Sequence, residues 1–341
     1  MVKVLLVEDS GLMRLLVSDI LSSSKEIEVI ATAVNGKEGV EKAMLLNPDV
    51  IVTDYMMPDY DGKYLVENIM KKKPTPIVLL SALEKADPAI FEVLEAGAYD
   101  FVDKPKEKVV ARIRDVNNRL ISAVLEASKA NISSLSLRTT KNTNLHSFGS
   151  NLNYEIICIG ASTGGPSALE TVIKKLPKNL PIPVLIAQHM PERFIISFAS
   201  RLNNISPIPV KVAEAGETIK GGVIYVASGA FNTILEKKGA RILIGSSEEK
   251  FKEFNNPSID ALMISVSKIY GNKSLGVVLT GMGKDGTLGL EHVKKARGRC
   301  IAQDEKTSVV YGMPKSAYDS NVVDHVVPLQ DISSFIVSCL E

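Results

Sequence analysis

The stretch CIGASTGGP, Cys158 to Pro166, ends an apolar run in a serine set among small residues. Gly160-Ala161-Ser162-Thr163-Gly164 satisfies G-x-S-x-G, the pattern of a serine carried on a sharp strand-to-helix turn. Small neighbours let a carbonyl group approach, and unpaired N–H groups at the start of the next helix can hold an oxyanion. The same residues also suit a phosphate-binding loop or a plain turn. A nucleophilic serine needs a base, usually a histidine oriented by a carboxylate. Of four histidines, His146 falls in a polar stretch, His292 in a helical pattern and His325 inside a strand. His189, in VLIAQHMPERF, stands at the carboxyl end of a strand before a helix. Asp285, in GVVLTGMGKDGTLGL, again follows a strand and opens a helix. A dinucleotide site is the rival use of that loop: Gly281-x-Gly283-x-x-Gly286 fits the fingerprint, and Asp304 ends the next strand. Asp285 argues against it, since a carboxylate at that helix start repels a pyrophosphate.

A second set of reactive side chains lies near the N-terminus. Strand one ends in Glu8 and Asp9, strand three in Asp54, strand four in Ser81, and Lys104-Pro105 follows strand five. Acids at strand ends can simply cap helices. Three carboxylates brought to one place, however, repel one another unless a divalent cation neutralises them, and oxygen-only ligands suit Mg²⁺. A lysine and a hydroxyl beside them complete a cradle for a transferred phosphoryl group.

These residues need strands to carry them. Short β-branched runs at Lys3–Val7, Glu28–Ala33, Val50–Thr53, Ile77–Leu80 and Asp100–Val102 alternate with amphipathic segments starting at Ser10, Gly36, Asp61, Pro88 and about Lys106. Such βα units imply a parallel sheet covered on both faces. After a Ser/Thr/Asn-rich, acid-free stretch the alternation resumes, with strands near Glu155–Ile159, Val184–Gln188, Val210–Val212, Val223–Val226, Ile242–Ile244, Leu275–Leu279, Arg299–Ala302 and Asp324–Val327. The expected domains are 1–127 and 154–341, both α/β, joined by a flexible linker over 128–153. In open parallel sheets, ligands gather beyond the carboxyl ends of the strands where the strand order reverses, as expected for the N-terminal acids, and Ser162, His189 and Asp285 are expected to share one edge of the second sheet.

Composition excludes several classes. The chain of 341 residues carries a net charge of +1, with no basic helix-turn-helix pattern, so no nucleic-acid partner is expected. MVKVLLVEDS reaches two acids after a short apolar run, unlike a signal peptide, and no apolar stretch approaches the roughly 20 residues of a membrane span. Cys158 and Cys300 sit in apolar runs as expected buried thiols, and the cytoplasm is the expected compartment.

VLLVEDS, DVIVTDYMMPDYDG, PIVLLSA and AGAYDFVDKP resemble the receiver domain of bacterial two-component response regulators. That resemblance implies a flavodoxin-like (βα)5 fold, phosphorylation of Asp54 by a chemotaxis histidine kinase, and Mg²⁺ held by Glu8, Asp9 and Asp54. It also implies a phosphoryl contact from Lys104 and switch residues Ser81 and Phe101, drawn inward on phosphorylation. CIGASTGGP, QHMPERFIISFASRL, PSIDALMISVSKIYG, VVLTGMGKDG and AQDEKTSVVYGMPKSA resemble the catalytic domain of chemotaxis protein-glutamate methylesterases. The resemblance implies a doubly wound, mostly parallel α/β domain and a phosphorylation-activated serine hydrolase. Its triad falls on Ser162, His189 and Asp285, with oxyanion stabilisation around Thr163 and the backbone N–H of Met282, and no cofactor for hydrolysis. Methyl-accepting chemoreceptors are the implied substrates, demethylated at glutamate γ-methyl esters and deamidated at glutamines. One departure is NNPSID, where Asn255 and Asn256 replace a histidine-arginine pair found in many members.

Overall fold

A computed structural model describes residues 1–81, 89–104, 110–130, 146–149, 151–254 and 256–341. Most of the expected linker (131–145 and 150), the approaches to the fourth and fifth helices (82–88 and 105–109, including Pro105) and Asn255 lie outside the described residues. The chain forms two compact units, Met1–Ser136 and Leu137–Glu341.

In the first unit, β1 (Val2–Val7), β2 (Ile27–Ala33), β3 (Val50–Asp54), β4 (Ile77–Ser81) and β5 (Asp100–Asp103) alternate with α1 (Gly11–Ser22), α2 (Gly36–Leu46), α3 (Gly62–Lys72), α4 (Ala89–Glu95) and α5 (Val110–Ala127). The strands pair in parallel in the order β2-β1-β3-β4-β5. Every residue of β3 and β4 is buried, as in sheets covered on both faces, and their sequences are correspondingly near-continuous apolar runs. Polar punctuation starts the helices: Ser10, Asn35 and Asp61 accept the N–H groups of Met13, Glu38 and Tyr64. The strand order reverses between β1 and β3, so their carboxyl ends open a crevice flanked by Glu8, Asp9 and Asp54.

The second unit contains β6 (Ile156–Ala161), α6 (Gly165–Lys174), β7 (Val184–Gln188), α7 (Glu192–Ile205), β8 (Val210–Val212), β9 (Ile224–Val226), β10 (Asn232–Lys238), β11 (Arg241–Ser247) and α8 (Ile259–Tyr270). It continues through β12 (Ser274–Val278), α9 (Thr287–Lys295), β13 (Arg299–Gln303), α10 (Met313–Asp319), β14 (His325–Val327) and α11 (Ile332–Leu340). Seven strands form a parallel sheet in the order β14-β13-β12-β6-β7-β9-β8. The chain starts in the middle at β6, builds one side, then crosses back to β12, which places the reversal between β6 and β12.

β10 is absent from the sequence expectation. It pairs antiparallel with β11 as a separate two-stranded sheet, Lys238 opposite Arg241. Its sequence, NTILEKK, ends in charge and carries few β-branched residues; the usable signal was the two-residue Gly239-Ala240 connection, with Gly239 at φ 63°. Part of the expected linker is also held. His146 donates its N–H to Asn179 Oδ1 at 3.0 Å and contacts Glu341 at 2.8 Å, and Asn153 N–H reaches Leu340 O at 3.0 Å. Cys158 and Cys300 are buried in the core, where burial pushes the Cys300 thiol up to about 12. Among the described residues, no helix is long and apolar enough to cross a membrane.

Candidate active site

The three neighbouring strands β7, β6 and β12 each deliver one reactive side chain just past their carboxyl ends. Ser162 follows β6, its N–H bonded to Thr280 O at 3.0 Å, and its own carbonyl accepts from Gly165 N at 2.8 Å. His189 follows β7, with its N–H on Ala161 O at 3.0 Å. Asp285 lies in the loop between β12 and α9. The three side chains form one line: His189 Nδ1 lies 3.1 Å from Ser162 Oγ, and His189 Nε2 lies 2.7 Å from Asp285 Oδ2. Because a carboxylate accepts, Nε2 carries the proton and Nδ1 is left to accept from the serine hydroxyl. The nitrogens thus exchange the roles they take in chymotrypsin-type triads.

Asp285 is 1 % exposed and accepts from every direction. Oδ2 also takes the N–H of Ile259 at 2.8 Å, while Oδ1 takes the N–H groups of Asp260 at 2.9 Å and Gly286 at 3.1 Å and the hydroxyl of Ser258 at 3.3 Å. Burial by itself raises this carboxyl; the bond to His189, its charge and the backbone N–H groups outweigh burial and hold Asp285 below the usual carboxylate range. The negative end of the line therefore stays ionised.

Several supports escaped sequence reasoning. Gln188, the last residue of β7, donates Nε2 to both Ser162 O at 2.9 Å and His189 O at 3.1 Å, tying nucleophile and base loops together. Thr280 Oγ donates to Thr163 O at 3.0 Å, while Gln303 Oε1 accepts the Thr280 N–H at 2.8 Å. Their common signal was a polar residue ending an apolar strand. Asn232 of β10 accepts the N–H groups of Asn256 at 2.7 Å and Ser258 at 2.9 Å, bracing the turn into α8. The Phe254 ring stacks on His189 with centroids 3.8 Å apart and planes at 16°. No spacing rule pointed to Phe254, which sits in a polar run.

Thr163 and Met282 flank this centre. A Cβ on Gly281 would lie 2.7 Å from Ser162 Cβ, so only glycine lets that loop approach the nucleophile, and Met282 comes next in the chain. The dinucleotide alternative meets a physical obstacle: the Gly286 and Gly289 N–H groups at the α9 start already bond Asp260 Oδ1, at 2.8 and 2.7 Å.

In the first unit, one oxygen each of Glu8, Asp9 and Asp54 fall within 4.8 Å of one another. Lys104 Nζ bridges Glu8 Oε2 at 2.8 Å and Asp54 Oδ2 at 2.7 Å. Burial pushes both carboxyls up; Lys104 opposes the rise at each, while the Asp54 charge adds to it at Glu8 and the Asp9 charge adds to it at Asp54. Burial disfavours the Lys104 ammonium, yet its bonds to Asp54 and Glu8 raise it overall. An all-oxygen cluster with excess negative charge fits Mg²⁺. Ser81 and Phe101 are both buried.

The family model described as CheB methylesterase matches residues 157–336, and that of the response regulator receiver domain matches residues 4–114. The chain belongs to the CheB methylesterase family. A relative from Desulfitobacterium hafniense, named protein-glutamate methylesterase/protein-glutamine glutaminase, is 38% identical over 100% of this chain and 98% of its own length. One of the same name from Methanococcus maripaludis is 41% identical over 98% of this chain and 97% of its own. The crystal structure of the Thermotoga maritima CheB methylesterase catalytic domain superposes with a TM-score of 0.54 at 39% identity, covering 55% of this chain and 99% of that one. CheB family membership thus extends through both units, with the receiver-like crevice and the serine-histidine-aspartate line each on its own sheet.

Proposed function

We propose that this chain is a phosphorylation-activated protein-glutamate methylesterase and protein-glutamine glutaminase acting on chemoreceptors. The observation that carries the chemistry is the continuous hydrogen-bond line from Ser162 Oγ through His189 to Asp285. Ser162 Oγ attacks the γ-methyl ester carbonyl as its proton passes to His189 Nδ1. The imidazolium, protonated on both nitrogens, is held by ionised Asp285. Donors around Thr163 and the Met282 N–H stabilise the oxyanion. Nδ1–H then protonates the departing methoxide, giving methanol and a Ser162 acyl ester. Water, deprotonated by the same nitrogen, attacks that ester and releases the glutamate carboxyl and free serine. A glutamine side chain follows the same course with ammonia leaving. None of these steps draws on a cofactor.

In the first unit, Asp54 is the phosphate acceptor, and a histidine kinase the donor. Glu8, Asp9 and Asp54 would hold Mg²⁺, which shields the carboxylates and phosphoryl oxygens when bound. Lys104 contacts the phosphoryl group, and Ser81 and Phe101 respond to its arrival, which releases the methylesterase domain, 154–341, for its substrate; the segment 128–153 is the linker between the two domains. The test is methanol release from methylated receptor with and without a small phosphodonor and Mg²⁺. Ser162→Ala abolishes release and Asp54→Asn abolishes stimulation; undiminished release by Ser162→Ala overturns the nucleophile assignment.

A further inference from the structure

Two helices of the catalytic unit begin side by side, and each is capped by a carboxyl group belonging to the other's start. Asp285, which precedes α9, takes the first two N–H groups of α8, from Ile259 and Asp260, at 2.8 and 2.9 Å. Asp260, in the first turn of α8, takes the Gly286 and Gly289 N–H groups at the start of α9, at 2.8 and 2.7 Å. Helix α9 has no side-chain cap of its own; Gly286 enters it at φ 91°. A Cβ on Gly289 would sit 2.6 Å from Met263 Cβ and 3.3 Å from Asp260 Cα, so glycine there is what brings the two helices close enough for this exchange. Asp260 is 3 % exposed.

We propose that Asp260 is a positioning residue of the hydrolytic site: it locks α9 onto α8 and shares a hydrogen bond with Asp285, fixing the carboxylate that orients His189. The inference rests on the triad proposed above. Asp260 touches no reacting atom and acts through Asp285. Asp260 Oδ1 and Asp285 Oδ1 accept the same Gly286 N–H, at 2.8 and 3.1 Å, and two buried carboxyl groups that close cannot both ionise cheaply. Burial first, and the Asp285 charge second, push Asp260 up to about 7, while Asp285 stays ionised under its five donors. The shared proton therefore resides on Asp260, which donates it to Asp285.

The surroundings leave Asp285 as the dominant neighbour. α8 packs on α9, β10, β6, β12, β7 and the short 3-10 turn Gly271–Lys273, which carries Lys273. β6, β7 and β12 bring no charged side chain. β10 carries Glu236, Lys237 and Lys238, and α9 carries Glu291, His292, Lys294 and Lys295, yet the charge that acts most strongly on Asp260 is that of Asp285. Ionising Asp260 replaces a hydrogen bond with repulsion between two buried anions, and Asp285 then shifts from the His189 Nε2–H.

Asparagine imitates the protonated form: its oxygen can accept from Gly286 and Gly289 while its amide donates to Asp285. The full-length protein is assayed for methanol release from methylated receptor between pH 5 and 9, as wild type, Asp260→Asn, Asp260→Ala and Ser162→Ala. The wild type is expected to lose turnover number as pH rises above about 7, whereas Asp260→Asn keeps it within about threefold at pH 7 and lacks that alkaline decline. Asp260→Ala is expected to lose about 30-fold or more in turnover number with KM little changed. A merely structural Asp260 would give Asp260→Asn a profile superimposable on wild type; that result, or loss in Asp260→Asn equal to that in Asp260→Ala, overturns the proposal. Should Asp260→Ala fail to fold, the Asp260→Asn profile still decides. Full activity in Ser162→Ala would instead overturn the triad itself, a separate outcome.

Discussion

Replacing Asp285 with asparagine changes one atom, and the structure says what that atom must do. Oδ2 faces His189 Nε2–H at 2.7 Å and the Ile259 N–H at 2.8 Å; Oδ1 faces the N–H groups of Asp260 and Gly286 and the Ser258 hydroxyl. If the new amide nitrogen takes the Oδ1 place, two backbone N–H groups confront a donor. If it takes the Oδ2 place, only Ile259 does, because His189 can move its proton to Nδ1 and accept at Nε2. The second arrangement leaves fewer donors unmatched and is favoured. It also presents Nδ1–H to Ser162, the tautomer that cannot take the serine's proton. The expected loss in turnover number is about 10⁴-fold, as for the equivalent change in another serine hydrolase, corresponding to about 5.5 kcal/mol of barrier. One unmatched buried N–H costs about 1–3 kcal/mol of stability. Methanol-release kinetics and urea unfolding of the same preparation measure the two effects separately. Asp285 lies below its ordinary range in the folded protein, so its contribution is present above the unfolded value and lost as pH falls beneath it. The variant should therefore show a shallower acid limb in stability. A turnover number within tenfold of wild type would refute the tautomer argument.

Two further outcomes follow from the supporting contacts. Gln188→Ala removes both clamps on the Ser162 and His189 carbonyls, and about a tenfold fall in turnover number with little change in KM is expected; unchanged kinetics would show that the loops hold their geometry without it. In the receiver, Glu8 and Asp54 sit above their ordinary values, so between those and the raised values the folded protein keeps protons the unfolded chain has released, and stability falls as pH rises through that window. Mg²⁺ at 100 times its dissociation constant should restore about 2.7 kcal/mol to receiver unfolding in the full-length protein; Asp54→Asn should be more stable without Mg²⁺ and gain less from it, and a receiver transition insensitive to Mg²⁺ would contradict the cluster.

Periodicity and punctuation in the sequence determined much by themselves. Apolar runs such as VLLV and IICI must lie in a sheet covered on both faces, and in such sheets reactive residues gather at the carboxyl ends, so Glu8, Asp54, Ser162, His189 and Asp285 could be located before any coordinates. Local chemistry also marked the starts of α1, α2 and α3, whose caps lie within three residues of the groups they bind. The β10–β11 sheet was half legible, since NTILEKK owes its pairing to a partner strand and to burial against α8 rather than to its own propensity. What only the tertiary structure decided depends on distance through space between residues remote in sequence. Which imidazole nitrogen meets Ser162, the Phe254 ring on His189, the Gln188 clamp and the exchange of caps between α8 and α9 have no sequence period. Asp260 reads locally as an ordinary acid in a first helical turn; it acquires its role because Gly289 lets another helix start within its reach.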